Sequence, residues 1–194
     1  MKKHSNLLYI MYSTFNTDLL FWIVVDNLFL STVKGVSEFN IILITMLGLL
    51  FSILLFPFTN LIIKKLPNRV DNIIGAVLNC VAITLFCFCN TLCGFIIAQT
   101  LYNMSSPFKQ SAAIILKNNL KGLGKQSEFV KVCSYGRLGY SIITAAVALV
   151  SGWVFNVHPY LPIILCGACT IIALILATIY NQIYNTSVSV LHRI

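Results

Sequence analysis

The run FNIILITMLGLLFSILLFPFTNLII, from Phe39 to Ile63, contains no acid, base or histidine. Crossing roughly 30 Å of hydrocarbon at ~1.5 Å per residue takes about 20 apolar helical residues, and this run is longer than that. It lacks the strict apolar and polar alternation of a barrel strand. Inside lipid every backbone N–H and C=O must be paired, and a single run can do that only as a helix. The fold class therefore starts from a transmembrane helix.

Neighbouring stretches have the same character. Six apolar segments are predicted as membrane helices, at residues 7–30, 39–63, 72–91, 94–116, 132–155 and 160–180. The expected architecture is all-α, a polytopic membrane bundle of about six transmembrane helices forming one domain over residues 1–194. Composition agrees, with 58% hydrophobic residues and only 9% charged. A water-facing globule carries about 25% charged residues, so lipid is the partner this surface calls for.

Short polar punctuation separates the segments. Gly35-Val36-Ser37-Glu38 reads as a turn with Ser37 as N-cap of the second helix. Lys64-Lys65-Leu66-Pro67-Asn68-Arg69 is a sharp break, after which Asp71 can cap the third helix. Asn90 to Cys93 leaves room only for an antiparallel hairpin. Lys117 to Lys131 is the longest polar stretch, read as a loop with Gly122 and Gly124 inside it. Asn156 to Pro159 parts the last two spans. The N-terminus starts with charge as a signal peptide does, but its apolar stretch is long, contains Asp18 and lacks a small-residue cleavage site. It is expected to remain as the first helix.

The net charge is +8, yet the bases sit in gaps between apolar runs, without the basic and aromatic pattern of a nucleic-acid groove. Lys2, Lys3, Lys64, Lys65, Arg69, Lys117, Lys121, Lys125, Lys131 and Arg193 all fall on one side, with Arg137 near it, and Lys34 alone on the other. The positive-inside rule then places both termini and the two basic connections in the cytoplasm, in a cell (inner) membrane. The seven cysteines lie mostly within apolar runs, where a thiol behaves as a small hydrophobe. Cys166 and Cys169 have CxxC spacing in mid-span, with no partner set for zinc. A disulfide between Cys89 and Cys93 is a weak alternative. Trp153 and Tyr160 near span ends fit an interfacial belt, and His158 falls in an outer loop. There is no nucleophile elbow, no HExxH and no phosphate loop, so an enzyme and a resident cofactor or metal are not expected.

Function in a membrane chain is best sought where an ionisable group costs energy to bury, at least ~2.5 kcal/mol at a helix centre. Asp18, beside Asn16 and Thr17, makes a polar patch midway along the first helix. It is read either as a protonatable coupling carboxylate or as a packing carboxylate neutralised by a partner. Lys109 lies in the fourth helix near Asn103 and Pro107, where a freed carbonyl can line a cavity, or else it snorkels to the headgroups. Similar depth and opposite charge suggest that Asp18 and Lys109 pair. Asp26, near the outer end of the first helix, and Arg137, one turn into the fifth, are secondary candidates.

Two stretches carry a family resemblance. NLIIKKLPNR, Asn60 to Arg69, occupies the place of the G-x-L-x-D-R-x-G-R-R loop of major facilitator superfamily transporters, with Lys64, Lys65 and Arg69 keeping its basic character. The glycines and the aspartate are missing, which removes the acidic group that the family uses in gating contacts. AAIILKNNLKGLGKQSEFVK, Ala112 to Lys131, resembles a loop common in bacterial members, with Asn118 in place of the family aspartate. Lys34-Gly35-Val36-Ser37 is similar to their K-G-L-S, and Val150-Ser151-Gly152-Trp153 to the end of their fifth helix. The chain thus resembles the N-terminal half of such a transporter. The resemblance implies two inverted three-helix repeats, with helices one and four along the central path and Asp18, Asn16, Asn103 and Lys109 on the route of substrate and protons. It implies proton-driven efflux of a small molecule. The family has twelve helices, so a missing C-terminal half, a homodimer and a remnant with an accessory role all stay open. The rival class is a membrane interaction protein.

Overall fold

A computed structural model describes residues 2–16, 18–122 and 124–191, with side chains from Asn6 to Gln182 within those ranges. Thr17 and Arg193 lie outside the described residues, as do the side chains of Lys2 and Lys3. Among the described residues the chain is all-helical: α1 Lys2–Asn16, α2 Trp22–Thr32, α3 Glu38–Lys65, α4 Asn68–Phe88, α5 Leu92–Lys109, α6 Ser111–Gly122, α7 Glu128–Val157 and α8 Leu161–Leu191. Four of these, α3, α4, α7 and the Leu161–Gln182 part of α8, are long and apolar enough to cross a membrane.

Local chemistry sets the ends. Ser37 is the N-cap of α3, its Oγ accepting from Asn40 N at 3.4 Å. Leu66, forced extended by the proline after it, stops that helix. Thr91 caps α5 by accepting from Gly94 N at 3.2 Å, which completes the tight hairpin with α4. Lys34, the base on the sparsely charged side, donates to Cys87 O and Asn90 Oδ1, both at 2.8 Å. Its cation thus sits on the carbonyl end of α4, where the helix dipole is negative.

Several expectations are corrected. The first span is not one helix over 7–30: it is broken after Asn16 and restarts at Trp22. The fourth is broken at Gln110, two residues past Lys109's neighbour Phe108, so α5 and α6 replace one helix over 94–116. Pro107, by removing a backbone donor, weakens the helix just there. Lys117 to Lys121 are helical rather than loop, because α6 turns Ala112, Ile115, Leu116 and Leu120 inward at helical spacing and its lysines outward. Asp71 does not cap: Pro67 holds the N-cap position of α4, and Asp71 is buried within the first turn. Cys89 and Cys93 are both free thiols. Tyr160 also packs edge-on against Phe29 at 5.3 Å between ring centroids.

The helices interlock across the two halves of the chain. α3 and α4 lie against α5, and α4 also against α6; in the other half α7 and α8 lie against α1 and α2, and α4 meets α8 at the back. A short internal repeat accompanies this exchange. α3 and α7 both begin at Ser-Glu-Phe, Ser37 to Phe39 and Ser127 to Phe129. Each is preceded by a left-handed glycine, Gly35 at φ 64° and Gly124 at φ 67°. Counting back from each Ser-Glu-Phe, the two helix breaks fall at nearly the same distance.

Burial is divided into two apolar clusters. One gathers Leu19, Trp22, Phe29, Phe86, Phe95 and Cys166 from α2, α4, α5, α8 and the segment before α2. The other gathers Tyr12, Ile115, Leu116, Val132, Ala177 and Tyr180 from α1, α6, α7 and α8. Both breaks lie between the clusters along the chain. Outside, apolar side chains such as Phe39 (73% exposed), Leu149 (86%) and Trp153 (70%) face away from the protein. An exterior of this kind is what a bilayer covers.

Candidate functional site

Asp18 sits in the break between α1 and α2, half-buried. A carboxylate so placed competes for backbone donors, and Asp18 Oδ1 accepts from the next residue, Leu19 N, at 2.9 Å. The same oxygen accepts from Tyr102 OH of α5, while Oδ2 accepts from Tyr140 OH of α7 at 3.4 Å. Three elements therefore converge on one carboxyl group. Glycines permit the close approach of α7 to α1: a Cβ at Gly139 would lie 2.6 Å from Thr14 Oγ1, and one at Gly136 would lie 2.9 Å from Ser13 Oγ.

Lys109 ends α5 at the second break. Its ammonium stands 5.8 Å from the ring centre of Tyr102. Among the described residues no carboxylate lies within salt-bridge distance of it, since the sole ion pair there is Lys125 with Glu128 on the surface. The anticipated Asp18–Lys109 ion pair is thus replaced by a relay. Tyr102 offers its hydroxyl to the acid and its π face to the base. Gly75 of α4 makes room for this end of α5, where an added Cβ would come 3.2 Å from Lys109 N.

Beside Lys109 a cavity of about 60 Å³ is lined by Tyr9, Tyr12, Ser13, Asn16 and Ala112. Asn16 is 2% exposed; its Nδ2 donates to Tyr12 OH, and among the described residues its Oδ1 has no hydrogen-bond partner. Tyr12 stacks on Tyr180 of α8, which fixes the wall of the cavity. Ser105 Oγ lies 2.7 Å from both Asn79 Oδ1 and Tyr102 O, tying α4 to this level of α5. Asn103 Nδ2 is buried without a partner among the described residues.

The structure brings Asn16, Asp18 and Lys109 together and puts Asn103 on the same helix as Lys109. It does not bring in Asp26, whose Oδ1 accepts locally from Asn27 N at 2.7 Å, or Arg137, which is exposed on α7. Lys64 and Lys65 are exposed at the end of α3, and Arg69 O accepts from Asn181 Nδ2 of α8 at 2.9 Å. Tyr102, Tyr140, Ser105 and Asn79 were missed; hydroxyls and an amide inside apolar spans were the available signal. A second buried acid was also missed. Asp71 is fully buried, with Ser111 Oγ donating to Oδ2 at 3.3 Å and Oδ1 unpartnered among the described residues.

No family model matches the chain, and no curated protein matches it.

Proposed function

We propose that the chain is a secondary transporter of the major facilitator kind, or one half of such a transporter. In this reading it sits in a cell membrane with both termini in the cytoplasm and couples the efflux of a small molecule to protons. One observation carries the proposal: an acid at the break of the first span and a base at the break of the fourth share a single tyrosine. Ionisable groups at mid-span are costly and typically mark ion and substrate paths. Discontinuous helices facing each other are how transporters expose polar groups without exposing backbone to lipid.

Support for two inverted three-helix repeats comes from packing and sequence together. Exchange α1–α2 with α5–α6, α3 with α7 and α4 with α8, and the contacts of the broken spans with their neighbours correspond, although the packing of α7 on α8 has no α3–α4 counterpart. The Ser-Glu-Phe starts, the left-handed glycines and both breaks follow the same exchange. With three spans per unit, the second unit enters from the opposite face. Six spans then require α1–α2 and α5–α6 each to cross as an interrupted helix.

In the proposed cycle Asp18 and Lys109 balance each other's charge when both are ionised. Proton uptake by Asp18 leaves Lys109 uncompensated, so protonation changes which occupants the cavity favours. The test is a proteoliposome assay with an imposed pH gradient and an internal pH dye, challenged with a set of small organic anions and cations. At least one solute should collapse the gradient with wild-type protein and fail with Asp18→Asn. Equal rates in the two proteins would remove Asp18 from coupling.

A second reading, an accessory membrane protein, is favoured by the exteriors of α3 and α7, whose apolar windows are each only 17% buried. Cysteine crosslinking from α2 and α5 separates the two. Capture of a second copy supports a paired transporter, and capture of a different protein supports the accessory role.

A further inference from the structure

Lys109 contributes three N–H donors, and among the described residues none has a hydrogen-bond acceptor assigned to it. Asn16 offers the reverse, a buried carbonyl oxygen with no donor among the described residues. Both line one cavity of about 60 Å³, whose remaining wall is Tyr9, Tyr12, Ser13 and Ala112. That volume accommodates about two to four waters or a ligand of comparable bulk. It is far below the roughly 300 Å³ at which drug-sized pockets begin.

From this complementarity we infer that the cavity between α1 and the α5–α6 break binds a two- or three-carbon 2-hydroxy carboxylate. The carboxylate oxygens take the Lys109 ammonium, and the hydroxyl donates to Asn16 Oδ1. The short carbon skeleton lies against the tyrosine rings. A simple carboxylate such as acetate satisfies Lys109 but leaves Asn16 Oδ1 bare, which keeps its desolvation cost. An amino acid would satisfy Asn16 but would set a second ammonium close to Lys109. A cation offers nothing to the Lys109 ammonium. The inference rests on the transport reading for its biological meaning, because the ligand of this cavity is then the cargo, but its binding chemistry stands apart from any movement across the membrane.

The experiment is calorimetric titration of glycolate, acetate and glycine into the full chain in lipid nanodiscs. Glycolate should bind saturably and more tightly than acetate, with glycine weakest. Lys109→Met should weaken glycolate by about 10- to 100-fold, the worth of one charge-assisted hydrogen bond. Lys109→Arg, which keeps the charge, should retain part of the affinity and guards against mere misfolding. Asn16→Ala should bring glycolate down to the level of acetate while leaving acetate nearly unchanged. Glycolate heat absent from the wild type, or unaltered in Lys109→Met, overturns the site. Binding as expected, with no glycolate carried across proteoliposomes, leaves the site standing and overturns transport of this ligand. Proton-coupled movement of other solutes, with no glycolate binding, does the opposite.

Discussion

Replacing Gly139 by alanine tests how α7 is seated on α1. The added Cβ would lie 2.6 Å from Thr14 Oγ1, but 3.7 Å from Thr14 Cβ and Cγ2. The conflict is therefore with one atom. That atom cannot swing aside cheaply, because Thr14 Oγ1 donates to Ile10 O at 2.8 Å and a β-branched side chain is stiff in a helix. The helices must separate by several tenths of an ångström, at about 1–3 kcal/mol. Thr14→Ala alone removes the hydroxyl and a methyl from a tight contact, for roughly 1 kcal/mol. In the double variant the new Cβ meets only ordinary van der Waals neighbours, so the combined loss should fall below the sum by about 1–2 kcal/mol. Reversible unfolding in mixed micelles measures the cycle. Tyr140, the next residue, should report the same event: its 3.4 Å bond to Asp18 opens in Gly139→Ala and closes in the double variant. Strictly additive losses would refute the account, since the two residues would then not be touching.

Tyr102→Phe should perturb the infrared carboxyl band of Asp18 strongly and cost about 1.5–3 kcal/mol, the range for hydrogen bonds to charged groups, whereas Tyr140→Phe, with its longer 3.4 Å contact, should do markedly less. Ser111→Ala leaves the buried Asp71 carboxyl with neither oxygen partnered, so stability should drop by about 1–3 kcal/mol in the same micelle assay; recovery in Ser111→Ala with Asp71→Leu identifies the stranded acid as the cause. Lys34→Met strips two 2.8 Å bonds from the end of α4, and maleimide labelling of Cys87 and Cys89 should speed up as that end frays, while Cys80 stays unchanged.

The apolar runs, the proline break at Pro67, the Ser37 cap and the hairpin after Asn90 were all legible, because each depends on one residue type doing one local thing. The break at Asp18 was not. Hydropathy averages over a whole turn, and a single carboxylate barely dents it; the helix yields only because Asp18 bonds Leu19 N and tyrosines from α5 and α7 satisfy the rest. α6 was misread for the opposite reason. Its lysines and asparagines suggest a loop, yet Ala112, Ile115, Leu116 and Leu120 keep helical spacing beneath them. Asp71 looked like a cap from its place after Pro67, and only the packing of α6 shows it turned inward. Asn16 and Lys109 were visible as costly residues, but the tyrosine linking acid and base depends on helix rotation, which no single sequence fixes.

The two apolar clusters share no residue, and each short helix of a broken span belongs to one of them alone: α2 and α5 to the first, α1 and α6 to the second. The unbroken helix α8 contributes Ile163 and Cys166 to the first cluster and Leu176, Ala177 and Tyr180 to the second, so it joins the two storeys and would have to bend for one to move over the other. The broken spans, by contrast, pass from one cluster to the other where Asp18, Tyr102 and Lys109 stand, so these three polar residues mark the seam between the two cores.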